Sequence, residues 1–344
     1  MNKKYHKIRL KNTFKKKKPK FSQKYLFIPL IGIIIVLLII IFKISIIRNL
    51  DEKERIVDFG LINLDKFETN IFDSIKEKLD KSKCSLMWKN HKEFLNGVIR
   101  KFKPNKILEV GVRFGGSSII ILNAIQDIPN SHLYSVDISN SNEVGRCLDN
   151  PFSELKNKWT LFKGNIVANF IENIGKEIDL VLFDTSHFEP GEILDFLMVL
   201  PFLKEEAIVM FHDIGNQINM AGEKDSRHEW APYIIFNLVK GKKFYPSGDN
   251  ILLQDIGAIM LDKNQNKYIY DYFRALGGQW EYFLNEIHIN ILRNFFKKYY
   301  DEICLSIFEE AIKFNRYFVQ NNQIIGFYNS KAWINYYKYK IKYN

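Results

Sequence analysis

KILEVGVRFGGSSIIIL, residues 106–122, packs three local signals into one short run. Ile107, Leu108 and Val110 read as a short buried strand. The glycine-rich turn from Gly111 to Ser118 follows, and an apolar run with helical character follows that. A strand, a glycine turn and a helix are what a chain uses to cradle a nucleotide-like ligand, because the turn lets backbone amides approach it closely. The turn Gly111-Val-Arg-Phe-Gly115-Gly116 is not G-x-G-x-x-G, which weakens a nicotinamide dinucleotide. No G-x-x-x-x-G-K-[ST] occurs either, so a P-loop is not indicated.

Outward from this stretch the chain alternates. Strand-like runs are 107–112, 133–138, 160–163, 180–183 and 207–211, with helical stretches at 117–128, 166–174 and 193–200 between them. Such alternation predicts an α/β fold with a parallel, doubly wound sheet, which IGAIML at 256–261 would complete. In these sheets ligands bind beyond the carboxyl ends of the strands. Chemistry-bearing residues stand at five such ends: Glu109 with the glycine turn, Asp137, Asn165 after Gly164, Asp184, and His212-Asp213. Asp137 follows Gly111 by 26 residues, a spacing that lets its carboxylate accept both hydroxyls of an adenosine ribose.

LEVGVRFGGSS, YSVDIS, LFKGN, DLVLFDTSHFEPGEILDFLMVLPFL and IVMFHDI, in this order, resemble the successive motifs of class I S-adenosylmethionine-dependent methyltransferases. The branch most similar is that of small-molecule and sugar O-methyltransferases, with cephalosporin-hydroxylase-like relatives. The resemblance runs over about Lys92–Asp262, half of the chain. It implies a Rossmann-like methyltransferase sheet, with Glu109, Gly111, Gly115, Gly116 and Ser117 holding the methionine portion of S-adenosylmethionine. Asp137 would bind the ribose. Asn165 would meet the adenine amino group; the family usually has Asp there, and an amide oxygen accepts the same hydrogen bond.

Metal-dependent members place acids at the ends of strands four and five, which implies Asp184 and Asp213 as oxygen ligands of Mg²⁺. His187 would then take the proton of the acceptor hydroxyl. Loop capping explains the two acids equally simply, and an ordinary loop histidine explains His187. His212 is expected to pack or to support rather than ligate. A third ligand is missing, because Ile214 stands where some relatives have Asn. HEWAPYIIF at 228–236 is expected in the acceptor pocket, with Trp230 and Tyr233 available for stacking or for core packing.

The ends of the chain are different in kind. Residues 1–50 carry thirteen Lys or Arg and no acid, so the net charge of +11 belongs to this tail; the remainder holds 37 basic and 39 acidic residues. A nucleic-acid-binding core is therefore not expected. Leu26–Phe42 has no charge, and the run 26–47 would span roughly 33 Å as a helix, enough for a bilayer core of about 30 Å. No A-x-A cleavage pattern follows it, so an uncleaved single-pass transmembrane signal-anchor is predicted. Eleven basic residues before the span place the tail in the cytoplasm and the catalytic domain on the lumenal or extracytoplasmic side.

The predicted organisation is a basic tail (1–25), an anchor (26–47), a stalk with an amphipathic helix (48–90), the methyltransferase domain (91–265) and a helical extension (266–344). The extension either docks on the sheet domain or forms a homodimer contact. Cys84, Cys147 and Cys304 lie far apart and read as buried free thiols, with one bridge as the alternative. The functional expectation is a membrane-anchored O-methyltransferase acting on a sugar, glycan or small-molecule hydroxyl. The alternatives are an inactive tethered scaffold and a nicotinamide-dependent sugar oxidoreductase.

Overall fold

The computed structural model describes residues 69–215, 230–246 and 255–320. The predicted tail and anchor, the start of the stalk and the end of the extension lie outside these residues. Among the described residues no helix is long and apolar enough to cross a membrane.

Chain order runs α1 (Thr69–Ser82), α2 (Lys89–Phe102), β1 (Lys106–Val110), α3 (Gly116–Ala124), β2 (His132–Asp137), β3 (Trp159–Lys163), α4 (Ile171–Ile174), β4 (Ile178–Phe183), α5 (Gly191–Val199) and β5 (Leu203–His212). It continues with α6 (Ala231–Leu238), β6 (Gly241–Phe244), β7 (Ile256–Leu261), α7 (Ile269–Arg274), α8 (Glu286–Tyr299) and α9 (Glu302–Gln320). The sheet has the order β3-β2-β1-β4-β5-β7-β6. Strands β1 to β5 pair in parallel, whereas β7 runs antiparallel to both β5 and β6. The sheet is thus mixed rather than wholly parallel. Strand order reverses beside β1, which opens a crevice at the carboxyl ends of β1 and β4, where such folds bind ligands.

Period-two alternation explains how the strands serve two cores. Leu108, Val181, Phe183, Val209 and Phe211 face one layer, which contains α5 to α9. Ile107, Leu180, Leu182, Ile208 and Met210 face the other, which contains α1 to α3. The strands are buried on both faces and therefore read as continuous apolar runs.

Three features bear on the sequence expectation. Phe72, Ile75 and Leu79 of α1 are buried in the second core, so the outer part of the predicted stalk packs as a layer of the domain. The extension docks, the first of its two expected roles: Phe273, Phe296 and Phe308 are fully buried in the first core. Finally, Cys84 and Cys147 form a disulfide, and Cys304 is the buried free thiol. The fold brings the first two together because Cys147 donates its backbone N–H to Phe114 in the glycine turn, while Cys84 lies over Gly116.

Candidate active site

A cavity of about 770 Å³ opens at the carboxyl edge of the sheet. Gly111, Gly116, Ser117, Asp137, Asn165, Asp184, His187 and Asp213 all line it. Its volume lies in the upper range of ligand sites and leaves room for two reactants side by side.

The first side of the cavity is built by hydrogen bonds. Gly111 adopts φ +92°, and a side chain there would lie 1.9 Å from the Asp184 carbonyl oxygen. A Cβ on Gly116 would lie 2.6 Å from the Cys84 carbonyl oxygen, so the disulfide loop seats directly on the helix start. Both positions need glycine for close backbone approach. Asp137 accepts from the amides of Val112 and Arg113, each at 3.0 Å, and from Ser139 N at 2.8 Å. It therefore fixes the turn while keeping lone pairs for a ligand hydroxyl. Asn165 Oδ1 accepts from Ile166 N at 2.9 Å, which orients the amide at the cavity wall.

Glu109 lies elsewhere than the resemblance implied. It is fully buried and does not line the cavity. Its carboxyl accepts from Ser117 Oγ at 2.5 Å and from Ser118 Oγ and Ser135 Oγ at 2.6 Å. Burial raises its pKa to about 7 against the pull of those three hydroxyls. Glu109 thus anchors the turn from behind through the three serine hydroxyls. Gly115 also stays outside the lining and serves as the N-cap of α3 at φ +91°.

The second side is built by charge. Asp184 follows β4, and Asp213 follows β5 in a left-handed conformation, φ +55°. His187 Nε2 lies 2.8 Å from Asp213 Oδ2 and 3.5 Å from Asp184 Oδ1. His212 Nδ1 lies 3.1 Å and 3.4 Å from the same two oxygens. Burial alone would raise both carboxyls, yet the adjoining histidines hold them below the usual carboxylate range. Burial also disfavours the His212 cation, but Asp184 and Asp213 outweigh it and raise its pKa. Asp255 stands behind Asp213, its pKa pushed up to about 6 by burial and by the Asp213 charge. Its carboxylate accepts from Gly215 N at 2.8 Å, and its carbonyl accepts from Ile214 N, which pins the loop.

Donor atoms of Asp184, His212 and Asp213 lie within 4.8 Å of one another. Two carboxylates and an imidazole reached from the cavity fit a divalent cation. His212, expected only to pack or support, stands where a third ligand was missing. His91 was assigned no role from sequence, yet its Nδ1 lies 3.1 Å from His212 Nε2. Burial and the His212 charge lower its pKa to about 4, which keeps it neutral. A partner 121 residues away leaves no local sequence signal.

The expected acceptor residues sit apart from the cavity. Trp230 packs edge-to-face on Tyr233 at 5.7 Å, and neither lines the cavity. Its outer wall comes instead from Tyr282, Phe283, Leu284, Asn285, His288 and Leu292 at and before the start of α8. These residues belong to the extension, for which sequence suggested docking on the sheet domain or a homodimer contact.

Residues 108–214 match the family model of a methyltransferase domain. No curated protein matches the chain. Among solved structures, it is similar to an O-methyltransferase of Bacillus cereus in complex with SAH, at 10% identity and TM-score 0.42, over 56% of this chain and 90% of that one. It is also similar to a putative caffeoyl-CoA O-methyltransferase of Staphylococcus aureus, at 17% identity and TM-score 0.42, over 55% and 91%. A third is the O-methyltransferase TomG of Streptomyces achromogenes in complex with SAM, at 14% identity and TM-score 0.41, over 59% and 92%. Likenesses this distant carry no inference about substrate. The matched stretch contains all five strand ends, and over it the resemblance to a methyltransferase domain holds.

Proposed function

We propose that this chain transfers a methyl group from S-adenosylmethionine to a hydroxyl oxygen of a sugar, glycan or other small molecule. The observation that carries the reading is convergence: Gly111, Asp137, Asn165, Asp184 and Asp213, from five strand ends, meet in one cavity. Bound S-adenosylmethionine supplies an electrophilic methyl on a sulfonium. The residues here would bind and orient it, Asp137 at the ribose hydroxyls and Asn165 at the adenine amino group. The turn at Gly111 and Gly116 gives its backbone room to approach. In-line transfer needs no covalent enzyme intermediate, so positioning is the protein's main contribution.

His187 would take the acceptor proton, and Asp213 and Asp184, at 2.8 and 3.5 Å from its Nε2, would stabilise the imidazolium that forms. Asp184 and Asp213 would hold a divalent cation, which when bound lowers the pKa of a coordinated hydroxyl. The wall at 282–292 would face the acceptor.

The same reading places the domain on the far side of a membrane, tethered by residues 26–47. A Cys84–Cys147 disulfide supports a compartment outside the reducing cytosol, since such bonds persist in oxidising surroundings. A glycosylation tag at the carboxyl terminus would be modified in microsomes under this topology and stay unmodified under the reverse one.

Calorimetric titration of the full chain with S-adenosylmethionine, and separately with NAD, tests the cofactor. Micromolar binding of the former alone is expected. Asp137→Ala should weaken it about 10–100-fold, the worth of hydrogen bonds to a charged group. Binding of NAD in place of S-adenosylmethionine would overturn the reading.

A further inference from the structure

We infer that His212 is a direct ligand beside Asp184 and Asp213, and that this mixed nitrogen and oxygen site selects a first-row transition ion such as Mn²⁺ or Zn²⁺ over Mg²⁺. The inference rests on the reading of the two acids as cation holders and changes the identity of the cation.

His212 is 8% exposed, and its Nδ1 points between the carboxylates. Although both contacts are short enough for ion pairs, neither has hydrogen-bond alignment, and Nδ1 is a buried polar atom without such a bond. A buried nitrogen aimed at two acids but out of line with their lone pairs is the arrangement of atoms that share a third partner. Buried polar groups are otherwise almost always satisfied.

The opposite ring atom explains how Nδ1 is kept for that purpose. His91 is 2% exposed, and its ring stacks on Trp88 at 5.6 Å and meets His212 edge-on. When a cation binds, His212 gives up the proton on Nδ1 and keeps the one on Nε2, donated to His91 Nδ1, so that the Nδ1 lone pair faces the ion. This tautomer is assigned from the network of contacts. Ligating histidines characteristically donate their other N–H to such a partner, which fixes the ring. His91 is therefore a positioning residue.

The donor set then decides the ion. Mg²⁺ takes oxygen ligands and keeps several waters. Imidazole suits the later first-row ions, and affinity for a nitrogen-containing site rises from Mn²⁺ towards Zn²⁺.

The test uses the full chain after chelator treatment. Mn²⁺ is titrated by its free-ion electron paramagnetic resonance signal, and Mg²⁺ and Zn²⁺ by calorimetry. Mn²⁺ and Zn²⁺ should each bind about tenfold or more tightly than Mg²⁺. Bound Mn²⁺ should show nitrogen coupling in spin-echo spectra, retained in His187→Gln and lost in His212→Asp. The latter exchange keeps a ligand but should remove the preference over Mg²⁺. His91→Ala should weaken Mn²⁺ about 10–100-fold while S-adenosylmethionine affinity stays unchanged.

Equal binding of Mg²⁺ and Mn²⁺ by the unaltered chain would overturn the inference, as would absence of nitrogen coupling. The wild-type measurements decide even if a variant fails to fold. Cofactor binding without any cation binding sinks the cation site and leaves the cofactor reading standing. Selective Mn²⁺ binding without cofactor binding does the reverse.

Discussion

On the β1–β2–β3 side of the cavity, the polar groups arrive with partners in place: three serines on Glu109, three amides on Asp137, one amide on Asn165. On the β4–β5 side, Asp184, Asp213 and His212 meet at ion-pair distances, and His212 Nδ1 and Glu192 Oε2 are buried without a hydrogen bond. The same low-dielectric edge therefore carries one finished network and one that is incomplete. A finished network holds a shape; an incomplete one is where chemistry or an ion can still enter. Two buried glutamates show the contrast in their donors. Glu109, with three hydroxyl donors, has its pKa raised by burial to about 7. Glu192, with only Thr185 N at 3.1 Å, is raised by burial to about 8.

If the division is real, damage to the two sides should be separable. His187→Ala on the charged side should lower kcat about 10²–10⁴-fold, the usual worth of a positioned general base, with the dissociation constant for S-adenosylmethionine unchanged. Single-turnover kinetics beside calorimetry would read both. Equal loss of cofactor affinity would dissolve the comparison.

Damage to the hydrogen-bonded side should appear first as instability. Replacing Cys84 and Cys147 by serine removes the tie between the loop over Gly116 and the loop beside Phe114. The expected cost is about 2–4 kcal/mol in denaturant unfolding, together with weaker cofactor binding. Loss of activity without either effect would place the disulfide outside the cofactor half.

The smallest effect is a pH dependence carried by Glu192. The folded pKa of Glu192 stands above the unfolded value of 4.5, so the native state keeps a proton that the unfolded chain releases. That contribution is fully present below about pH 4.5 and is lost as pH rises through about 8. From about pH 6 to 7 this group's share should cost the protein about 1.4 kcal/mol, and Glu192→Gln should lessen the measured slope by about that amount. Urea unfolding at the two pH values measures it. An unchanged slope would mean that Glu192 is not the group responsible.

Much of this arrangement was legible in sequence, for identifiable reasons. The parallel strands are buried on both faces, so they stand out as apolar runs, and their ends are marked by polar residues. The antiparallel placement of β7 was not legible, because IGAIML carries no sign of direction. Nor was β6, whose GKKF is short, rich in lysine and lies at the sheet edge. The stretch 166–174 read as one helix because its apolar spacing fits; it forms a tight turn followed by the single turn α4. In the site, Asp184 and Asp213 were found because they end strands. Cys84 with Cys147, and His91 with His212, were missed because only the folded layers bring them together. Glu109 was expected in the cavity lining and lies behind it, because a strand-end acid reads the same from sequence whether it faces the cavity or the serines behind it.

The wall at 282–292 has one more consequence. It lies outside the matched stretch 108–214, on a segment that follows the complete sheet. Under the proposed reading, donor handling and acceptor recognition would sit on separate lengths of the polypeptide, joined by packing and by hydrogen bonds such as Glu281 N to the Glu189 carbonyl and Tyr300 OH to the Leu197 carbonyl. Drift or exchange of the later length could retarget the protein to a new acceptor without disturbing the glycine turn, so selectivity here is a replaceable part.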